Sequence, residues 1–182
     1  MEALTIQRNP QAEPVVYTPK LTFSFYQQCL KDQDLKEKGA DGFSGLVNGL
    51  LDRSVDAIIA FYYHALAWYK RNQPSEAAVA DALDDTIFKD EATTDAEFDA
   101  IIKELKSVNF LARKLDEFIK SNDKLTASLQ QRIESMDDSD TQKTQFEVGV
   151  DQINDSSNRL QQLIQSPASS PKPEGADSHQ EN

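Results

Sequence analysis

Apolar residues recur at helical spacing through the middle of the chain, and this periodicity constrains the fold more than any other feature of the sequence. One set lies at positions i, i+3, i+4, i+7 and i+8, which is one buried helix face: Phe43, Leu46, Val47, Leu50 and Leu51. The next stretch, DAIIAFYYHALAWYKRNQPS over residues 56–75, has a wider apolar arc, one face of which comprises Ile58, Phe61, Tyr62, Ala65 and Tyr69. Two consecutive amphipathic helices predict a mainly α-helical fold around a small core.

If the protein were an enzyme, His64 within this aromatic stretch would be the candidate catalytic base. Helical spacing places it in the narrow gap of the arc, beside Ala60, Ala67 and Arg71, so we expect it on the polar side of the helix. His179 lies near the C-terminus, and no Gly-x-Ser-x-Gly, Cys-x-x-Cys or His-Glu-x-x-His motif accompanies either histidine. The sequence therefore predicts no enzyme, no cofactor and no metal site.

Side chains that can accept hydrogen bonds from free backbone N–H groups mark several helix starts. Asp41 is placed to cap the helix that contains residues 43–51, and Ser54 or Asp56 can cap the one that follows. Pro74 marks the end of that second helix, and Ser75 can cap the next, SEAAVADALDD.

The clearest start signal is a Thr-x-x-Glu capping box formed by Thr94 and Glu97, which predicts a long helix over 95–119. Two further residues, Leu111 and Phe118, widen its apolar stripe toward the C-terminal end. The stripe itself comprises Phe98, Ile101, Ile102, Leu105, Val108, Ala112, Leu115 and Ile119. We expect this helix to form a second wall of the core.

Four glycines between residues 39 and 49 could suggest a phosphate-binding loop. No Gly-Lys-Ser/Thr follows them, and Asp41 would repel a phosphate. A turn followed by a helix with a close-packing glycine face explains the same residues better.

The first 25 residues contain two short runs of period-two alternation. Leu4 and Ile6 form the first, and Leu21, Phe23 and Phe25 the second, with Val16 upstream. The pattern favours a short N-terminal β-hairpin. Prolines between the runs remove ladder donors, which leaves the pairing of the strands open.

After residue 121 the composition becomes polar, and two narrow helical stripes remain. The first comprises Leu125, Leu129, Ile133 and Met136. The second comprises Phe146, Val150, Ile153, Leu160 and Ile164, with Ser157 as a seam position. Such stripes suit a partner helix more than a globular core, and the alternative is a mostly disordered segment with transient helix. Residues 166–182 are of low complexity, and we expect them to be disordered.

Charge and composition exclude several classes of protein. The net charge of -12 opposes binding to nucleic acid phosphates. No run of 18 apolar residues is present, and the N-terminus does not resemble a signal peptide, so we expect a cytosolic protein that does not enter membranes. The single cysteine, Cys29, is expected to be a reduced, partly buried thiol.

The order of these elements over residues 3–120 resembles the tail assembly chaperones of long-tailed bacteriophages that infect Gram-positive bacteria. The likeness rests on LTFSFYQQCLKD after a β-like run, on GADGFSGLVNGLLDRSVDAIIAFYYHALAW, on NQPSEAAVADALDD, and on the terminal helix DAEFDAIIKELKSVNFLARKL. The chain departs from the family in its Pro-rich N-terminal link and its long acidic, Ser-rich tail.

This resemblance implies a non-enzymatic protein that binds the tape measure protein, keeps it soluble and helps tail tube assembly in the host cytoplasm, and that is absent from the mature virion. The tail tube protein would be a second partner, and self-association is left open. The chain then divides into an extended segment (1–25), a helical chaperone domain (26–120), a polar segment with weak amphipathic helices (121–165) and a disordered tail (166–182).

The candidate partner-binding residues are apolar side chains of the predicted second and last helices of that domain: Phe61, Tyr62, Leu66, Trp68, Tyr69, Leu111, Leu115 and Phe118. Two other classes of protein stay open. One is an acidic helical adapter or DNA-mimicking inhibitor, whose carboxylates imitate phosphates. The other is a small hydrolase centred on His64.

Overall fold

A computed structural model describes residues 1–7, 11, 13–137 and 141–165 of the 182-residue chain. Within these residues the fold is mainly α-helical with a short N-terminal hairpin, which confirms the predicted fold class. The predicted disordered tail, residues 166–182, lies outside the described residues. The elements are β1 (Leu4–Ile6), β2 (Val15–Tyr17), α1 (Phe23–Lys31), α2 (Gln33–Glu37), α3 (Gly42–Leu51), α4 (Val55–Ala65), a 3₁₀ segment (Ala67–Asn72), α5 (Glu76–Asp84), α6 (Glu91–Ser107), α7 (Asn109–Glu134) and α8 (Thr141–Gln165).

The N-terminal hairpin is antiparallel, with Leu4 opposite Tyr17 and Ile6 opposite Val15. Its inward side chains are buried and anchor it to the core. The prediction of a second strand around Leu21 to Phe25 is wrong. Thr22 accepts a hydrogen bond from the Phe25 amide and caps α1 at this point. Phe25 and Cys29, one helical turn apart, are both buried, as the inner face of a helix requires.

Helix α3 packs on α1 and α2 through glycine, as the sequence predicted. Asp41 caps α3 by accepting a 2.7 Å hydrogen bond from the Ser44 amide. A Cβ atom at Gly45 would overlap the carbonyl oxygen of Leu35, and one at Gly42 would overlap that of Cys29. The glycines therefore allow direct backbone contact between helices.

Helix α4 is the central wall of the core. Its face of large apolar residues is fully buried, with Ile58, Phe61, Tyr62 and Ala65 all inaccessible to solvent. The wide arc is covered by neighbouring parts of the same chain, because α1, α3 and α5 all pack against α4. The next helix, α5, is capped by Ser75, which accepts from the Ala78 amide as predicted.

The predicted helix over 95–119 is two helices, α6 and α7, which meet at the extended residue Val108. The predicted capping box is also wrong, since Asp90 caps α6 by accepting from the Thr93 amide at 2.7 Å. Thr94 lies inside the helix and donates to the carbonyl oxygen of Ile87, while Glu97 accepts from the Tyr62 hydroxyl. The second wall of the core is confirmed by its buried residues Phe98, Ile101, Ile102, Leu105, Leu111, Leu115 and Phe118.

The C-terminal helix α8 packs against α3, α6 and α7. Its buried residues, Val150, Ser157 and Leu160, belong to the narrow stripe that the sequence predicted. Helix α7 itself continues without interruption past residue 120 to Glu134. Across the described ranges, no helix combines the length and apolarity that crossing a membrane requires.

Candidate partner-binding surfaces

Cys29 and the acidic residues form no reactive or metal-binding constellation in the described part of the chain. No group of three or more His, Cys, Asp or Glu side chains there could hold a metal ion. Cys29 is fully buried instead of partly buried as predicted, and burial raises the pKa of its thiol. The thiol therefore stays protonated and unreactive.

His64 is buried, and the prediction that it lies on the polar side of its helix is wrong. Its Nε2 atom is 2.8 Å from Oδ2 of Asp32, whose Oδ1 accepts from the Leu35 amide. The small residues Ala60 and Ala67 on the same side are buried as well. That side of α4 packs against the junction of α1 and α2, and the histidine satisfies a partly buried carboxylate there.

An acidic cleft of about 620 Å³ opens beside this pair. Asp32 already contacts His64, and Lys38 lies 3.9 Å from Asp56 across the rim. The cleft is lined by Asp32, Asp34, Leu35, Glu37, Lys38, Asp56, Ile59, Ala60 and Glu76. Two of its carboxylates, Asp32 and Asp56, are therefore already paired within the chain.

The structure places six of the eight sequence-predicted partner-binding residues in the core. They are Phe61, Tyr62, Leu66, Leu111, Leu115 and Phe118, each at most 6% exposed. These side chains are covered by other parts of the same chain, and their role in partner binding stays a prediction.

The other two candidates, Trp68 and Tyr69, are half-buried and contact the residues that directly follow β2. Trp68 Nε1 donates to the carbonyl oxygen of Thr18, and the Thr18 amide donates to the Tyr69 hydroxyl. The Lys20 ammonium lies 3.9 Å from the centre of the Trp68 ring. These contacts leave only part of each ring open to solvent.

An exposed aromatic patch, formed by Phe23, Tyr26 and Phe110, is the most open aromatic surface that the described residues offer. Phe23 is 62% exposed, and its ring centre lies 6.2 Å from that of Tyr26 and 6.3 Å from that of Phe110. Tyr26 in turn packs edge-on against the buried Phe43 ring at 5.5 Å. The patch is therefore seated on the core and presents preformed apolar rings.

The surroundings of the aromatic patch are polar at one side and concave at the other. The Lys114 ammonium lies 5.8 Å from the centre of the Tyr26 ring, and its hydrogen bond to Glu117 raises the pKa of Lys114. A cleft of about 370 Å³ adjoins Phe110 and is lined by Val108, Asn109, Phe110 and Arg113. Sequence reasoning missed the patch because it assigned Phe23 to a strand.

A second apolar surface lies beneath α8. We call it the covered groove, and it is formed by α3, α6 and α7 where α8 packs on them. Leu160 of α8 is fully buried in the core cluster, and Leu163 and Ile164 pack at its edge.

In the described residues, a small helical core carries an exposed aromatic patch and a groove filled by α8, which is the architecture of a helical domain without a catalytic constellation. Residues 13–120, more than half of the chain, match the family described as phage tail assembly chaperone protein, TAC, and the chain belongs to that family. No curated protein and no solved structure matches the chain. The family assignment confirms the resemblance seen in the sequence and gives the chain a role as a tail assembly chaperone, which implies binding to tail proteins.

Proposed function

We propose that this chaperone binds helices of the tape measure protein through the aromatic patch and keeps that protein soluble until tail tube subunits assemble around it. The observation that carries the proposal is the 62% exposure of Phe23 on a patch seated within the matched family region. Clustered aromatic side chains at a protein surface are typical of sites that bind another protein.

The chemistry of the patch suits an amphipathic helix as its ligand. Aromatic rings bury a large apolar area on binding, and the adjoining cleft near Phe110 can accept one aliphatic side chain. The net charge of -12 would keep a complex of several chaperones with a long helical client from aggregating.

The same proposal places the protein in the host cytoplasm, bound to its client only during assembly and released before the virion is complete. The tail tube protein is a second proposed partner, because tube subunits must displace the chaperone where they polymerise. Neither step requires catalysis, and the proposed role is non-enzymatic.

The test is co-expression with the tape measure protein of the same phage. The wild-type chain should increase the soluble fraction of the client, and Phe23→Ser should lose most of that effect. Val16→Ser is the matched control, because Val16 is 59% exposed and lies outside the patch. Both variants should keep the wild-type melting temperature, since each removes an exposed side chain.

A client that stays insoluble with the wild-type chain would contradict the proposed function. Equal loss of solubility with Phe23→Ser and Val16→Ser would leave the function but remove the patch as its site.

A further inference from the structure

Helix α8 lies outside the region that matches the family. The match ends at residue 120, whereas α8 spans Thr141–Gln165 and packs on α3, α6 and α7. Helices α3 and α6 lie within the match, and α7 continues beyond it to Glu134. The groove of this chain is therefore built partly from the matched region, and the helix that fills it lies outside that region.

Three polar contacts between α8 and the covered groove are long. Asn122 Nδ2 donates to Ser157 Oγ at 3.3 Å, and Arg159 donates to the carbonyl oxygen of Leu51 at 3.4 Å. The ion pair between Arg159 and Asp99 is 3.8 Å long. Each of the three is at or beyond the outer limit of a strong hydrogen bond or ion pair, so α8 is held mainly by its buried apolar side chains and by the Arg132 guanidinium, which lies 4.8 Å from the centre of the Phe146 ring.

A cleft of about 520 Å³ lies beside α8. It is lined by Gly149 and Ile153 of α8, by Phe118 and Leu125 of α7, and by the turn between α2 and α3. One turn beyond Asn122 on α7, the buried hydroxyl of Thr126 has no hydrogen-bond partner in the described ranges. A buried hydroxyl without a partner reduces the stability gained by docking α8.

We propose that α8 is a displaceable cap, and that an amphipathic helix of the client tail protein takes its place in the covered groove. The identity of the client rests on the proposed function. The groove accepts an amphipathic helix in this structure, since α8 itself buries Val150, Ser157 and Leu160 at spacings of seven and three.

Charge sets the kind of client helix that fits. Asp99 at the groove margin lies between two guanidinium groups, that of Arg53 at 3.4 Å and that of Arg159 at 3.8 Å, and Arg159 directly precedes the buried Leu160. A competing helix should therefore present a basic residue next to its deepest aliphatic side chain. The cap makes the chaperone's second surface available only when a client helix competes for it.

Two valines on α8 provide a matched test in the full chain. Val150 is 6% exposed and faces the groove, whereas Val148 is 51% exposed on the same helix. Val150→Asp should release α8, and Val148→Asp should not. Only molecules with an open groove can bind a client helix there, so a mostly closed cap reduces the apparent affinity in proportion to the open fraction. We therefore expect Val150→Asp to bind the tape measure protein about tenfold tighter than Val148→Asp and wild type.

A crosslink provides the opposite test and does not depend on a destabilising change. Asn122→Cys with Ser157→Cys places two thiols across the cap, and the fully buried Cys29 does not compete for them. Oxidation should weaken client binding, and a reductant should restore it. Hydrogen exchange of residues 141–165 should rise when the wild-type chain binds the client.

The results of these experiments distinguish a failure of the α8 cap from a failure of the proposed function. If wild type binds the client while α8 stays protected, or if the oxidised crosslink binds as well as the reduced form, the cap is overturned and the function stands. If none of the variants binds the client, the proposed function fails and the cap falls with it.

Discussion

The hydroxyl of Tyr62 donates a 2.7 Å hydrogen bond to Oε1 of Glu97, which joins α4 to α6 at the edge of the core. Burial raises the pKa of Glu97, while the hydrogen bond from Tyr62 lowers it by a smaller amount. Burial, together with the negative charge of Glu97, also raises the pKa of Tyr62. The pair therefore remains a neutral phenol facing a carboxyl group that holds its proton to higher pH than usual.

Replacing Glu97 with glutamine should remove a pH-dependent loss of stability. Because the pKa of Glu97 is raised in the folded protein, this group favours folding most below its ordinary pKa and loses that contribution as the pH rises through the raised value. Glutamine accepts from Tyr62 without titrating. The free energy of unfolding of Glu97→Gln, minus that of wild type, should grow from about pH 4 upward in denaturant titrations. A difference that shrinks with pH would contradict this.

Removing the hydrogen bond between Tyr62 and Glu97 should shift the pH range over which the stability contributed by Glu97 is lost. Tyr62→Phe leaves the carboxyl group without its donor, so the folded-state pKa of Glu97 should rise further and the loss of stability should occur at higher pH. We expect a cost of about 1–3 kcal/mol at neutral pH, where the buried carboxylate is charged and lacks this partner. If the double variant with Glu97→Gln costs the sum of the single changes, the two side chains are not coupled.

This pair also shows where sequence reasoning fails. Thr94 and Glu97 have the spacing of a capping box, yet Asp90 caps α6 and Glu97 faces Tyr62, 35 residues earlier. Local patterns cannot reveal that a distant hydroxyl competes for a carboxylate. The prediction that His64 lies on the polar side of its helix failed for the same reason, because its partner Asp32 lies at the junction of α1 and α2.

Patterns that depend only on local geometry succeeded. Asp41 and Ser75 cap the helices that they precede, since a cap bonds to amides within three residues. The narrow stripe of α8 was also predicted from spacing alone, and Val150, Ser157 and Leu160 are buried. The stripe could not reveal whether α8 packs on its own chain. The aromatic patch was missed because alternation assigned Phe23 to a strand, although Phe23 and Tyr26 lie three residues apart on α1.

Two glycines should respond to alanine in opposite directions. At Gly45 a Cβ atom would overlap the backbone of Leu35, so Gly45→Ala must separate α2 from α3. We expect a loss of several kcal/mol, comparable with overpacking a core. At Gly149 no atom lies within 4 Å of the added Cβ, and Gly149→Ala should stabilise α8 by about 0.5–1 kcal/mol. Thermal unfolding of both variants checks this, and equal effects would contradict the close packing of α3.

His64 should matter for stability but not for function. His64→Ala removes the side-chain partner of Oδ2 of the partly buried Asp32, which should cost about 1–3 kcal/mol. His64→Gln can still donate to the carboxylate and should cost less. Under conditions where both variants are folded, each should solubilise the tape measure protein as well as wild type. If activity instead vanished in folded His64→Gln, a catalytic role for the histidine would have to be reconsidered.

Salt should separate a chaperone from an acidic mimic of DNA. Binding that depends on the charge of -12 weakens sharply as salt screens the field, over a range from about 50 to 300 mM. Binding through Phe23, Tyr26 and Phe110 buries apolar area and should change little over that range. We therefore expect affinity for the tape measure protein to survive added salt and to fall on Phe23→Ser, measured by titration of purified chains. A collapse of affinity in salt, with no effect of Phe23→Ser, would favour the mimic, because only its carboxylates would then contact the partner.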